Sequence, residues 1–330
     1  MPDVVIGNDT LASLIGNSDK GAAWAKAKLG IVERRFMTPL DSRGVPTADA
    51  DELDMAAAAA RDAIINAGME PSDVGGLWYI SCTQKGSQRQ HFSTSAFELH
   101  RRLELPTTAI PLEMDAGCGG AVHALALGTH MLGGNCCDNI LVVAANGPSR
   151  YYAQWEPYVA SDVWLSMYIF GDGAGAAVLR RTDSSASQSH VIGSYLGVNP
   201  NQPLMYYEPR GNNPTPLYVI DGRAVAAGFS IYAKRALGGL TKQCDLSLDD
   251  VTRFYFHQVN GNVLMQFVEK MGLPPEKVAL HVDHYGNIAA AATLVLLDED
   301  RKAGIVGDGD LCVLCTVGAG AQYGALLVRL

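Results

Sequence analysis

Cys118 stands between Gly117 and Gly119 in the stretch MDAGCGGAVHALAL (114–127), directly ahead of an alanine-rich run that reads as a buried helix. A helix N-terminus presents unpaired N–H groups and a positive dipole end, and there a thiolate is favoured over the thiol. The flanking glycines permit unusual backbone angles and close approach of a substrate. Two further polar residues stand at comparable turns. His257 closes the strand-like RFYFHQ (253–258), at the carboxyl end of a strand, where α/β folds bind ligands. Asn287, in HYGNIAAAATLVLL, takes the place in the second half of the chain that Cys118 takes in the first. Each has a plain structural alternative: a small core residue, a core-edge histidine, an N-cap. Together, at three corresponding turns, they point to a thiolate nucleophile with an imidazole and an amide beside it.

Other reactive side chains carry less. Cys312 and Cys315 spell CxxC, but LCVLCTV reads as a buried strand on which residues three apart face opposite ways. Cys136 and Cys137 lack partners at metal-ligand spacing. His281 and His284 flank Asp283, yet ALHVD is strand-like and the two rings are not expected to converge on a metal. His123 and His130 on the helix after Cys118 read as packed. GDGAGA (171–176) lacks GxGxxG spacing and leads into a strand, which argues against a dinucleotide site. AGCGG does not match the GxSxG elbow of hydrolases.

These residues need a frame to hold them. The 330 residues are 48% hydrophobic and 18% charged, enough apolar material for a substantial core. A net charge of -9 without basic runs excludes nonspecific nucleic-acid binding. No run approaches the length needed to span a bilayer, and MPDVVIGNDTLASLIG carries Asp3 where a secretory signal would be cationic. Seven cysteines, an odd number, are no disulfide framework, and a reducing cytoplasm is expected. Periodicity predicts helices over 51–67, 93–103, 119–132, 224–237, 261–271 and 288–303, and strands over 77–82, 140–146, 175–181, 253–258, 311–317 and 323–330. Their order repeats: LWYISCTQ, MDAGCGG, ILVVAANG and GDGAGAAVLRR are echoed by FYFHQVNG, VDHYGN, LCVLCTVG and GAGAQYGALLVRL. Two similar α/β halves follow, residues 1–184 with the cysteine and 185–330 with His257 and Asn287, joined through the Ser-rich TDSSASQSH. Residues 149–168, crowded with aromatics, and 199–218, with five prolines, read as long irregular loops.

With Cys118, His257 and Asn287 in this order, the chain resembles the β-ketoacyl-ACP synthase III group of the thiolase superfamily. LGIVERR (29–35), MDAGCGG (114–120), IFGDGAGAAVL (169–179), HQVN (257–260), HYGNIAAAA (284–292) and VGAGAQYGALLVR (317–329) carry the resemblance. It implies a duplicated αβαβα five-layer fold and a homodimer. It further implies that Cys118 takes an acyl group from a CoA or carrier-protein thioester, without metal or bound cofactor. The backbone N–H groups of Cys118 and Ala319 would form the oxyanion hole. His257 and Asn287 would hold the carbonyl of a malonyl thioester as it loses CO₂ and condenses with the acyl group. Trp24 and Lys28 match positions that meet CoA. Phe92 matches a phenylalanine sent across the dimer into the partner's acyl pocket. Asn262 stands where the family places a donor-binding arginine. MPDVV aligns just after the family's first strand, so either the sequence starts late or the first half has an incomplete sheet. These departures, with the two unusual loops, imply a specialised acyl substrate, as in polyketide or related secondary metabolism, rather than fatty-acid initiation. Acyl transfer to an alcohol or amine is the alternative reaction, and a non-catalytic partner subunit the alternative role.

Overall fold

The computed structural model describes residues 1–16, 18–48, 51–83, 95–134, 136–152, 164–182, 189–210 and 213–330. In chain order the strands are β1 (Val4–Gly7), β2 (Glu33–Phe36), β3 (Gly76–Ser81), β4 (Ile110–Met114), β5 (Asn139–Asn146), β6 (Gly173–Arg180), β7 (His190–Val198), β8 (Met205–Arg210), β9 (Asn213–Ile220), β10 (Arg253–Phe256), β11 (Leu311–Val317) and β12 (Gln322–Arg329). The helices are α1 (Asn8–Ile15), α2 (Ala22–Leu29), α3 (Glu52–Asn66), α4 (Ser95–Arg102), α5 (Gly120–Gly133), α6 (Ser149–Tyr152), α7 (Leu165–Ile169), α8 (Gly222–Cys244), α9 (Gly261–Met271), α10 (Val282–Tyr285) and α11 (Ala292–Lys302).

Local chemistry sets the helix limits. Asp51 caps α3 by accepting from the Leu53 N–H at 3.0 Å, and Asp221 caps α8 through the N–H groups of Arg223 and Ala224. The Asn260 side chain caps α9, which stops at Gly272 with φ 66°. Helix α8 runs seven residues beyond the expected end at Leu237, through Gly238 and Gly239. Those glycines do not end it: a Cβ on Gly239 would stand 2.4 Å from the Tyr195 ring of β7, so glycine lets the helix lie flat on the sheet.

Two four-stranded sheets repeat one plan. The first has the order β4-β3-β5-β6, with β3 parallel to β4 and β5, and β6 antiparallel to β5. The second has the order β10-β11-β12-β7, with β10 parallel to β11 and β12 antiparallel to it. Where β3 pairs with β4, β10 makes a single parallel bridge from Phe254 to Val278.

Side-chain alternation then builds the layers. On β5, Ile140, Val142 and Ala144 join α5 and α11 in one core, while Leu141, Val143 and Ala145 join α3 and α4 in another. On β11, Cys312 and Leu314 face that same inner core, and Val313 and Cys315 face α8 and α9. The result is α3/α4, sheet, α5/α11, sheet, α8/α9: the five layers of the duplicated fold. Cys312 and Cys315 point into opposite cores, as the strand reading required.

Residues 199–218 depart from the expected irregular loop. Strands β8 and β9 form an antiparallel ribbon, with a register shift at Pro209 between Glu208 and Arg210. Pro214 and Pro216 lie two apart on β9, so both missing N–H groups fall on the same side of the strand. A two-stranded ribbon therefore tolerates prolines that a central strand excludes. In 149–168 the described parts are the short helices α6 and α7. Phe92 and the 184/185 division lie outside the described residues.

Candidate active site

Cys118 lies in a 3₁₀ turn, Gly117–Gly119, that runs directly into α5. Gly117 has φ 47°, a left-handed conformation that glycine adopts without strain, and a Cβ on Gly120 would stand 2.3 Å from Ile80 Cγ2. The GCGG run thus serves both a sharp turn and close seating of the helix on β3. Its mirror in the second half is Ala289–Ala291, which runs into α11 with the same angles: Ala289 has φ 51°.

That match corrects the sequence register. Ala289 corresponds to Gly117 and Ala290 to Cys118, so Asn287 lies three residues before the position equivalent to the cysteine. It stands in the loop that approaches the site, not on the helix tip. A backbone clamp holds it: its N–H donates to Ile169 O at 2.8 Å, and its carbonyl accepts from Gly171 N at 3.2 Å. Its Oδ1 accepts from Ala289 N at 2.8 Å, while Nδ2 makes a long 3.4 Å contact to Val259 O. A Cβ on Gly171 would collide with Tyr285 O at 2.1 Å, so glycine lets this clamp close. Buried Arg34 braces the same loop by donating to Tyr168 O at 2.8 Å, along with Ile6 O and Asn8 Oδ1.

His257 follows β10, and its N–H donates to Cys315 O at 2.8 Å. One cavity of about 190 Å³ is lined by Cys118, His257, Asn287 and Ala319 together. The rest of its wall is mostly apolar, with Phe170, Leu204, Phe229 and Val259 from both halves, and Lys28 is also part of it. Ala319 lies beside the Cys118 turn: a Cβ on Gly117 would be 3.6 Å from Ala319 N. Gln322 ties the two turns together, donating to Ala116 O while its Oε1 accepts from Gly320 N at 2.9 Å.

The electrostatics favour a thiolate at Cys118. Its thiol is held well below the ordinary range, first by a hydrogen bond from the Cys82 thiol and then by the charge and hydrogen bond of His257, against the opposing effect of burial. The same bond, with burial, pushes Cys82 up. Sequence reasoning missed Cys82, although it follows β3 at the carboxyl end of a parallel strand, where such folds place ligand-facing residues.

The remaining candidates are more scattered. Trp24 packs edge-on against Trp164, ring centres 5.5 Å apart, and tilted against Tyr168. Lys28 is exposed at the cavity. Asn262 is not part of the cavity wall. Its Nδ2 donates to Ala27 O at 2.8 Å, pinning α9 to α2. His123 bonds Gly119 O at 3.0 Å through Nδ1, a structural role within its own helix. His281 is buried while His284 is exposed and paired with Asp283. Among the described residues no cluster of three or more His, Cys, Asp or Glu could hold a metal ion, and no helix is long and apolar enough to cross a membrane. Asp172 of GDGAGA is fully buried and accepts from Ser149 and Met37, a structural use of that loop.

Comparison with known proteins gives the site a lineage. The family model for 3-oxoacyl-[acyl-carrier-protein] synthase III matches residues 112–200, and the model for the C-terminal part of that enzyme matches 241–330. The β-ketoacyl-[acyl-carrier-protein] synthase III of Synechococcus sp. (strain WH7803) is 30% identical over 335 residues, covering 98% of this chain and 92% of the relative. The crystal structure of 3-oxoacyl-(acyl carrier protein) synthase III from Pseudomonas aeruginosa PAO1 superimposes with TM-score 0.82 at 25% identity, covering 100% of this chain and 95% of that one. A variant of OleA from Xanthomonas campestris shares the fold, with TM-score 0.85 at 19% identity over 100% of this chain and 94% of its own.

Proposed function

Since the chain belongs to the 3-oxoacyl-[acyl-carrier-protein] synthase III family, and is thereby a condensing acyltransferase of the thiolase fold, we propose the following reaction for its site. The observation that carries it is one apolar cavity shared by a thiolate-prone Cys118, His257 and Asn287.

The Cys118 thiolate attacks the carbonyl of an acyl-CoA or acyl-carrier-protein thioester. The N–H groups of Cys118 and Ala319 receive the developing oxyanion, and the donor leaves as a free thiol. A malonyl thioester then enters. His257 and the Nδ2 of Asn287 hydrogen-bond its thioester carbonyl, so that CO₂ departs and its bonding electrons settle as an enolate. The enolate carbon attacks the acyl-Cys118 carbonyl, the C–S bond breaks, and Cys118 leaves as a thiolate with the β-ketoacyl thioester as product. The loose Nδ2 contact of Asn287 leaves that donor free to turn to substrate, whereas its Oδ1 is committed to Ala289. No step calls on a bound metal or redox cofactor.

The acyl substrate is specialised rather than the housekeeping acetyl group. Asn262, spent on the Ala27 carbonyl, supplies no cation to the donor, and the ribbon β8–β9 contributes Met205 and Ile220 to the cavity wall. Trp24 and Lys28 remain as the residues to meet CoA. The working unit is a homodimer, each half of the chain, 1–184 and 185–330, supplying part of the site.

Intact-mass measurement after incubation with a panel of acyl-CoAs tests the first step: an adduct forms on the protein and is absent from Cys118→Ala. Absence of any adduct would leave a non-catalytic subunit. Release of CO₂ from malonyl thioesters by the acylated protein separates condensation from transfer to an alcohol or amine. Condensation of acetyl-CoA with malonyl-carrier protein at an ordinary housekeeping rate would sink the specialised reading.

A further inference from the structure

The turn between β11 and β12 uses all its main-chain N–H groups but one. The Gly318 N–H donates to Gln322 O at 2.7 Å, the Gly320 N–H to Gln322 Oε1 at 2.9 Å, and the Ala321 N–H to Asn199 O at 3.2 Å. The Ala319 carbonyl accepts from Leu204 N at 2.6 Å. Among the described residues the Ala319 N–H has no hydrogen-bond partner, and Ala319 lines the cavity that holds Cys118.

The Gln322 side chain lies between this turn and the Cys118 turn. Its Nε2 donates to Ala116 O, which also accepts from Gly119 N at 3.1 Å. Ala116 O belongs to the peptide just before the one that carries the Cys118 N–H. Gly320 N belongs to the peptide just after the one that carries the Ala319 N–H. One planar amide thus grips both turns, a single peptide away from each donor. Its partners fix its orientation, since a carbonyl only accepts and an N–H only donates. Glycines leave the room: a Cβ on Gly117 would stand 3.0 Å from Nε2, one on Gly318 2.6 Å from it, and one on Gly119 3.3 Å from Cγ. Thr316 Oγ1 also reaches across, to Gly119 O, at a longer 3.4 Å.

We infer that Gln322 is a positioning residue for acyl transfer, setting the separation of the Cys118 and Ala319 N–H groups so that both meet one thioester oxygen. The inference rests on the acyl-transfer reading of this cavity. An oxyanion hole works only when its donors already stand where charge will develop. Here the two donors come from opposite halves of the chain, and the Gln322 amide bonds both turns at once. Its loss lets either turn drift and weakens the tetrahedral intermediate, whereas the sulfur of Cys118 stays where the α5 terminus holds it.

Two rates on the full chain separate this role from general damage. Iodoacetamide is attacked at a saturated carbon, iodide leaves, and no oxyanion forms. A thioester is attacked at its carbonyl, and one does. Gln322→Met keeps the length of the side chain and makes neither bond. In that variant, acylation of Cys118 by the acyl-CoA that reacts fastest with the parent is expected to fall about tenfold to a hundredfold, while alkylation stays within about twofold. Amide exchange at Gly320 should quicken in the same variant, which reads the clasp without any substrate. Gln322→Glu keeps the acceptor and donates to Ala116 O only when protonated. Its ratio of acylation to alkylation should therefore rise as pH falls from about 7.5 to about 5, where the parent ratio stays flat. The ratio cancels the thiolate fraction, which both reactions share. Equal losses in both rates, unchanged acylation, unchanged exchange at Gly320, or a flat ratio in Gln322→Glu each overturns the role. A parent chain that is alkylated but takes no acyl group from the panel overturns the reaction itself and this role with it, and the exchange at Gly320 tells that failure from failure of the clasp.

Discussion

At the scale of single residues, the thiolate character that suits Cys118 to the proposed role rests first on a neighbour that the motif does not contain. The Cys82 thiol is the first of the groups that hold the Cys118 thiol down, ahead of His257. A lowered thiol pKa keeps the thiolate populated at lower pH, so the pH profile of iodoacetamide alkylation at Cys118 reads it directly. Cys82→Ala is expected to move that profile to higher pH and slow alkylation several-fold near neutrality, while Cys82→Ser, which keeps a donor, moves it less. An unmoved profile in Cys82→Ala would show that His257 and the helix terminus suffice. His281 gives the opposite kind of effect. Burial pushes its pKa down to about 4 from 6.5, so the folded chain resists a proton that the unfolded chain accepts. Its contribution is present above pH 6.5 and is lost as pH falls through about 4. His281→Gln should flatten the fall in unfolding free energy across that window, by roughly 3 kcal/mol if nothing else changes. Denaturant titrations at pH 7, 5.5 and 4 would measure it.

Among the elements, the sequence was most readable where the pattern is local and least where packing decides. Helix α9 begins and ends where its pattern places it, because Asn260 caps it and Gly272 stops it. Strands β5 and β11 were plain as apolar runs. By contrast, β1, β2, β4 and β7 are short or only partly buried and gave no periodic signal. The periodic pattern places the end of α8 at Leu237 because the Tyr195 ring that requires Gly239 is distant in sequence. The Asn287 register was misread for a related reason: element order shows that two turns correspond, but only backbone angles show which residues do. The glycines at the site can be tested in this light. Gly120→Ala presses a Cβ onto Ile80 Cγ2, and is expected to cost about 1–3 kcal/mol of stability. Ile80→Ala removes the obstructing atom, so the double variant should lose less than the sum of the two single changes. Strict additivity in a double-mutant cycle would mean that α5 shifts on β3 rather than clashing.

For the whole molecule, among the described residues both edges of the first sheet are open within one chain, and they differ in kind. The β6 edge is recessed between helices, whereas β4 ends the other side with Ile110 49% and Leu112 43% exposed. Large apolar residues on an exposed edge strand invite pairing with another copy. Pro111 limits the pairing, since it has no N–H to donate, and leaves Leu112 to Met114 as the usable ladder. A two-fold axis through an edge pairs a strand antiparallel with itself, so one contact closes the assembly at two chains. Strand β4 leads directly into the Gly117–Gly119 turn, so a dimer formed there would steady the nucleophile of both copies. Light scattering on the parent chain is expected to give twice the mass of one chain. Leu112→Asp, at a solvent-facing position of the isolated fold, should reduce this to one chain while leaving the far-ultraviolet circular dichroism unchanged. Acyl-adduct formation at Cys118 should slow in the same variant. A dimer that persists in Leu112→Asp would move the interface away from β4, and with it the link between assembly and nucleophile.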